Sequence, residues 1–349
     1  MTGTSAATRR RMAITVPLLL LALLASMFLA LIVGAAEHAP KDVLRALGDG
    51  VRYVISGVPY EADGLHTVVL SLRLPRVLLA ALVGVCLALS GAIMQALFQN
   101  PMADPYLLGV SSGAALGAII AMAVGAAGVA AVVSVPLLAF IGALAVVFLV
   151  YVLARRGGRV QTGTLLLTGI AVGSLVSALT SFMMLLMQRD LRGVLFWLLG
   201  GLSGRGWPQV WIILPQATVG LVAAMVLARP LNMLLLGDEA AASLGLNTQA
   251  GKRLLLALAS LLAAGAVAVS GIIAFVGLVV PHVTRMLVGP DHRRLLPLAA
   301  VMGALLMVLS DIAARMLLAP TELPIGIITS ALGCPFFLYL LHRQGRRGL

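Results

Sequence analysis

Asp238 and Glu239 stand side by side in the stretch Gly237-Asp-Glu-Ala-Ala-Ala-Ser-Leu-Gly245. What two such carboxylates can do there is electrostatic. Asp238 can act as an N-cap, and Glu239 favours the positive end of a helix dipole. Ala240, Ala241 and Ala242 are the best helix formers, and after Ser243 and Leu244 the glycine Gly245 suits the C′ position. The stretch predicts a cytoplasmic helix over about 238–245 with an exposed acidic start, too short to be stable alone. It is either a plain helical linker or a docking element for a cleft on a motor protein. The chain carries no motor of its own. Gly245 to Arg253 holds a Gly-x5-Gly-Lys-Arg string, which misses the phosphate-loop spacing and lacks the Ser/Thr that would hold Mg²⁺.

The other polar residues do not assemble a catalyst. Asp311 and Arg315 are four apart, on one helix face, and form either an ion pair or a carboxylate with a free docking arginine. Arg73 and Arg76 flank Leu74-Pro75. Gln95, Gln99, Asn100 and Asp104 are placed to satisfy irregular backbone around Pro101. His66 and His282 read as packing residues, and Cys86 and Cys334 as small core side chains. No Ser/His/Asp set and no metal-ligand cluster appears, so the chain is expected not to be an enzyme.

The elements that must position these residues follow from composition. Of 349 residues, 61% are hydrophobic and 10% charged, against about 45–50% and 25% in soluble domains. This excludes a soluble enzyme, a disordered chain and a conventional nucleic-acid binder. The formal charge of +12 comes from small scattered groups of the kind that set orientation in a membrane. The first apolar run, Met12 to Ala36, is too long for a signal-peptide core and long enough to span. Nine more runs lie at about 66–98, 107–127, 131–154, 163–187, 207–228, 252–271, 274–289, 296–318 and 324–341. With the N-terminus inside, 15 of the 24 Lys and Arg fall at inner ends, in agreement with the positive-inside rule. Both termini are therefore expected in the cytoplasm. The nine outer basic residues include Lys41, Arg45 and Arg52 in the first loop, Arg189, Arg192 and Arg205 near the fifth-to-sixth connection, and Arg73, Arg76 and Arg315. They either snorkel to headgroups or form a basic rim for an acidic partner.

At an offset of 180 residues, Ala88, Ser90, Gly91, Ile93, Pro101, Leu107 and Gly109 recur as Ala268, Ser270, Gly271, Ile273, Pro281, Leu287 and Gly289. Five spans separate the copies, so they run in opposite directions, as inverted repeats of transporters do. The halves are about 66–187 and 252–341 within one transmembrane domain, 1–349. Gly113-x3-Gly117, Gly169-x3-Gly173 and Gly200-x3-Gly204 fit the pattern that lets helix backbones approach. A stand-alone secondary transporter would also have ten spans and a repeat, with Asp311 as its coupling acid. An intramembrane hydrolase would need a nucleophile and base that are absent.

Several motifs carry a resemblance. Glu239-Ala-Ala-x3-Gly245 looks like the EAA-type loop of ABC importer permeases. Arg73-Leu-Pro-Arg76, Ser90-Gly-Ala-Ile-Met-Gln-Ala-Leu-Phe-Gln-Asn-Pro101, Leu108-Gly-Val-Ser-Ser-Gly113, Gly271-Ile-Ile-Ala-Phe-Val-Gly-Leu-Val-Val-Pro-His282, Asp291-His-Arg293, Asp311-Ile-Ala-Ala-Arg315 and Glu322-Leu-Pro-Ile-Gly326 resemble the type II permeases. That family imports ferric siderophores, haem and vitamin B12. The resemblance implies an all-α, ten-helix permease in a bacterial inner membrane, working as a homodimer in the bilayer. Two ATP-binding cassette subunits would dock at the 238–245 helix, and a periplasmic substrate-binding protein at Arg73, Arg76 and Arg315. ATP and Mg²⁺ would sit on the partner ATPase, with no cofactor on this chain and no nucleic acid involved. The cytoplasmic gate aligns with Thr162-Gly163, where glycine departs from the hydroxyl pair of the vitamin B12 permease. Among cargoes an iron chelate, ferric siderophore or haem, ranks above vitamin B12. A tight substrate site on the permease is not expected, because its lining reads as apolar and specificity as the binding protein's.

Overall fold

The computed structural model describes residues 6–34, 38–57, 63–125, 129–156, 159–187 and 191–345. The chain begins with α1 (Ala6–Ile32), α2 (Pro40–Ser56) and α3 (Gly64–His66), and a π-helical stretch (Thr67–Arg73) then leads into α4 (Leu74–Leu97). After a 3-10 turn (Pro105–Leu108) come α5 (Val110–Ala123), α6 (Val129–Ala154) and a two-residue antiparallel ribbon, Arg155–Arg156 with Arg159–Val160. Next are α7 (Thr162–Leu186), α8 (Leu191–Leu198), α9 (Trp207–Val226), α10 (Ala228–Leu234) and α11 (Asp238–Ser243). The chain closes with α12 (Thr248–Ser270), α13 (Val276–Val288), α14 (His292–Met316) and α15 (Ile325–Gly345). Arg189, Glu61, Arg346 and Arg347 lie outside the described residues.

Seven of these helices are long and apolar enough to cross a bilayer, and three shorter apolar helices, Val110–Ala123, Val276–Val288 and Ile325–Leu340, occupy the remaining expected positions in order. A helix the length of α5 or α13 rises only about 20 Å, less than the roughly 30 Å hydrocarbon core. The segments that lead into them, 98–109 and 271–275, carry no α-helix, and hydrogen bonds to neighbouring segments tie this region down. Gly201 N–H donates to Ser270 O at 2.8 Å, and the Tyr106 hydroxyl to Ile273 O at 2.9 Å.

Burial ranks the helices. The spanning windows of α4 and α12 are each 78% buried, against 17% for α1. A helix apolar on all sides belongs in the middle of a bundle, and these two form its centre. Long, short, long, long is the order of both α4–α7 and α12–α15, with 24, 14, 26 and 25 residues against 23, 13, 25 and 21. The packing is reciprocal: α4 touches α12, α13 and α14, while α12 touches α4, α5 and α6. The end of α4 and the start of α12 both meet the α10–α11 segment, through Gln99 to Leu234 O and Lys252 to Asp238. The two leading helices are therefore antiparallel, which is the inversion expected of the halves.

The ungapped 180-residue match does not equate structural positions. Gly91 lies inside α4, whereas Gly271 ends α12 with φ +71°; Pro101 is in a loop, whereas Pro281 is inside α13. The match aligned residues of similar chemistry across connections of different length. Gly91 has its own reason to be glycine: a Cβ there would sit 1.7 Å from the carbonyl oxygen of Gly277, so α4 and α13 meet backbone to backbone. Gly84 and Gly303 bring α4 and α14 together in the same way, and Gly113 and Gly142 do so for α5 and α6. Gly200 and Gly204, by contrast, are not on a helix; both have positive φ, in the α8–α9 connection.

Residues 40–56, expected as loop, form α2. Pro40 starts it, Gly57 in left-handed conformation ends it, and Val43, Leu47, Val54 and neighbours recur at helical spacing. Val43 and Ala46 are buried against the bundle, while Leu44, Val51, Val54 and Ile55 remain exposed. His66 fastens α2, its Nδ1 2.8 Å from Asp63 Oδ1 and its Nε2 3.2 Å from Asp49 Oδ2.

Candidate functional site

The residues singled out by sequence gather at opposite ends of the bundle. At one end the π-helical stretch delivers Arg73, and one turn later α4 delivers Arg76. Buried Arg73 donates through Nη1 to the carbonyls of Leu31 at 2.6 Å and Ile32 at 2.7 Å, at the end of α1. A cation at the negative end of a helix dipole is favourable. Arg76 donates from Nε to Asp311 Oδ1 at 2.9 Å and from Nη1 to Glu322 Oε1 and Oε2 at 2.9 and 3.0 Å. Arg315 holds the second oxygen of Asp311 at 3.1 Å and reaches the carbonyls of Ala30 and Val33.

The three expected docking arginines thus come together, and each is engaged within the chain. Between the alternatives for Asp311 and Arg315, the geometry is the ion pair. Asp311 is 1% exposed and shared by two guanidiniums. Burial raises the pKa of the Glu322 carboxyl, but the Arg76 hydrogen bonds and charge outweigh it and hold the group below the usual carboxylate range.

Two cavities open beside this network, of about 320 and 590 Å³. Arg76, Leu202, Ser203, Arg205 and Glu322 line both. The smaller cavity is floored by the α8–α9 connection and the end of α12, where a Cβ on Gly200 would lie 2.3 Å from Ile272 O.

At the other end, α11 occupies six residues. Asp238 is not its cap; Gly237 is, with φ +97°. Asp238 is the first helical residue, and its carboxylate pairs with Lys252 on α12. A nearby ammonium offers the carboxylate more than a cap bond does, and glycine alone fits the positive φ before it. Gly245 does take the C′ position, at φ +86°. Its N–H bonds Ala242 O at 2.9 Å and Leu246 N–H bonds Ala241 O at 3.0 Å, the paired bonds of a Schellman ending. Ala241 is buried, whereas Asp238, Glu239, Ala240 and Ser243 face outward with Leu244 beside them. The Ser243 hydroxyl turns back to Glu239 O at 3.0 Å.

Sequence reasoning missed the joints that tie this end to the spanning helices. Asn232 on α10 donates from Nδ2 to Asp291 Oδ1 at 2.7 Å and accepts His292 N–H at 2.8 Å, gripping the start of α14. Gln99 donates to Leu234 O at 2.8 Å, and Gln95 accepts from Arg285 Nη1 at 2.9 Å while donating to Leu278 O at 3.0 Å. Only Asn100 and Asp104 satisfy local backbone, accepting from Met102 and Tyr106 N–H. Burial pushes the Asp104 carboxyl up to about 6 against the opposing Tyr106 bond. Thr162 begins α7 and lines a crevice with Leu97, Phe98, Tyr151 and Lys252, next to α11's anchor; nothing stands within 4 Å of a Cβ at Gly163. Among the described residues no group of His, Cys, Asp or Glu could hold a metal ion.

An all-helical, multi-pass membrane bundle with an inverted pair of halves, a polar network at one end and an exposed short helix at the other defines a transport permease. The chain belongs to the FecCD transport family, whose model matches residues 20–343. It is 47% identical over 293 residues to the cobalamin import system permease protein BtuC of Halobacterium salinarum, covering 84% of this chain and 77% of that one. It is 46% identical to the hemin transport system permease protein HmuU of Yersinia pestis (81% and 85% covered). Against the vitamin B12 import system permease protein BtuC of Salmonella paratyphi A it is 40% identical, covering 97% of each. A solved structure described as a metal-chelate type ABC transporter in an inward-facing conformation superposes with a TM-score of 0.78 at 32% identity, covering 93% of this chain and 97% of that one. The protein is a permease of the type II ABC importer class, a translocation component of its transporter.

Proposed function

We propose that this chain is the membrane permease through which an ATP-driven importer moves an iron chelate, a ferric siderophore or haem, into the cytoplasm. The observation that carries the reading is α11. It is exposed on all but one face, terminated by its own hydrogen bonds, and fastened to α12 by Lys252, while α10 beside it holds α14 and α4. A helix built this way can take a push from outside and pass it to spanning helices. In this reading two ATP-binding cassette subunits, which hold ATP and Mg²⁺, seat at the α11 end of a homodimer. A periplasmic binding protein delivers cargo at the arginine end. In this reading the α11 end and both termini lie in the cytoplasm, with the chain in a bacterial inner membrane, and the excess of basic residues at that end supports it. Arg73, Arg76 and Arg315 would meet acidic groups of the binding protein by exchanging their internal partners, and Thr162-Gly163 would serve as the cytoplasmic gate.

The cargo has a second reading, cobalamin, favoured by the relatives named for cobalamin and vitamin B12 import. Co-purification of the tagged chain with the ATPase encoded beside it, followed by hydrolysis assays in lipid with candidate binding proteins loaded or empty, tests the whole. A stable complex whose hydrolysis responds to one loaded binding protein and weakens on Glu239→Lys is the expected result. A chain that purifies alone and transports on an ion gradient would overturn it.

A further inference from the structure

The large cavity at the arginine end is lined by four guanidiniums, Arg73, Arg76, Arg205 and Arg315, and one carboxylate, Glu322. Asp311, behind Arg76 and Arg315, adds a second negative charge. Arg73 donates to the carbonyls that end α1.

Arg205 is different. It lines both cavities, yet among the described residues no ion pair reaches it, and its buried Nε has no hydrogen-bond partner. Its place is fixed by backbone: Arg205 N–H bonds Leu202 O at 3.1 Å, between Gly204 at φ +70° and Gly206. Burial lowers its pKa with no carboxylate to offset the cost. Arg205 as a whole is half-buried, and a guanidinium with one buried nitrogen left unpaired is costly. The cost is repaid when an anion arrives, and the guanidinium fork matches a carboxylate.

We infer that Arg205 is a cargo-binding residue, and that the two cavities it joins receive a metal chelate bearing free carboxylates. The inference rests on the importer reading and narrows its cargo. It also departs from an apolar, indifferent path: the outer half of the path carries one charged selectivity point. Glu322 does not repel such a chelate, because Arg76 already neutralises it with two hydrogen bonds.

The test uses the full chain in lipid nanodiscs, without any binding protein, so that an acidic docking surface cannot supply the carboxylate. Equilibrium dialysis would compare ferric citrate with a neutral ferric trihydroxamate, and haemin with its dimethyl ester, which lacks only the two carboxylates. Wild type should hold at least one carboxylate-bearing probe at least tenfold more tightly than its neutral counterpart. Arg205→Gln should abolish that difference, and Arg205→Lys should restore part of it. Arg205→Gln should not lower the melting temperature of the empty protein, since no ion pair among the described residues is lost with it. Equal discrimination by wild type and Arg205→Gln, or none by wild type, overturns the inference. ATP-driven uptake by the reconstituted complex separates the two levels. Uptake confined to cobalamin, or to neutral chelates, would overturn the role of Arg205 and leave the importer standing. Absence of ATP-driven uptake of every probe, with transport on an ion gradient instead, would overturn the importer reading itself.

Discussion

Arg76 Nε lies 2.9 Å from Asp311 Oδ1, joining the start of α4 to the end of α14 across 235 positions of sequence. Because α4 leads one half and α14 is the third helix of the other, this bond, with Arg76–Glu322, closes the inverted halves on each other at the arginine end. At the opposite end Gln95 and Arg285 do the same for α4 and α13. Both closures are polar and bracket the apolar contact between the halves.

Removing Arg76 takes both its hydrogen bonds from Glu322 and leaves the buried Asp311 with Arg315 as its one ion-pair partner among the described residues. Leaving a buried charge without its partner costs about 3–5 kcal/mol. Arg76→Leu should therefore lower the melting temperature in detergent sharply. Arg76→Leu combined with Glu322→Gln should recover part of the loss, with Asp311 kept as the partner of Arg315. A double-mutant cycle on Arg76 and Asp311 measures the coupling, and a coupling near zero would contradict the geometry.

Asp104 makes stability fall with pH. Its folded pKa of about 6 lies above the ordinary 3.8, because burial opposes the charge. The folded state then binds the proton more tightly than the unfolded one, so stability declines as pH rises from about 4 to 6 and is flat above. Asp104→Asn keeps an acceptor for Tyr106 N–H. It should raise thermal stability at pH 7.5 and change it little at pH 4, as read by paired melts at the two pH values.

The Gly91–Gly277 approach leaves no room for a side chain. Gly91→Val must push α4 from α13, and overpacking costs of about 1–3 kcal/mol or more should appear as poor yield and a lowered melting temperature. Gly163→Ser, where nothing lies within 4 Å, should be indistinguishable from wild type in the same assay. Equal yields for both would mean that the α4–α13 contact is looser than described.

Asn232 is the joint between α10 and α14. Asn232→Ala removes the amide that bonds Asp291 and His292, a loss of about 1–3 kcal/mol that leaves the chain folded. In the proposed complex it should preserve basal ATP hydrolysis while reducing transport per ATP several-fold. Hydrolysis and uptake measured on one preparation would decide it; an unchanged ratio removes Asn232 from the coupling route.

Much of this was legible in the sequence because apolar runs and glycine endings report on local physics. The ten apolar segments and the left-handed ending at Gly245 needed only hydropathy and backbone conformation. What was not legible depended on partners distant in sequence. Nothing near Arg73 says that the carbonyls of Leu31 and Ile32 await it, and nothing near Asp238 says that Lys252 will claim its carboxylate instead of a cap. Helix α2 was legible, since Val43, Leu44, Leu47, Val51 and Val54 recur at helical spacing, but its charges disguised it as loop. The repeat misled for a different reason: residue chemistry recurs at a fixed offset, while the connections that place it do not.

Helix α14 joins Asn232 at its start to Arg76 near its end, and the stretch from Asp291 to Asp311 spans about 30 Å. It is a lever with a polar pivot and a polar latch. Over that length a tilt of about 5° about the pivot moves the latch by about 2.6 Å, more than a hydrogen bond can stretch. The latch at Asp311 is therefore a gauge of the pivot's angle. Small rotations leave it shut, and one modest step must release the arginines at once rather than gradually.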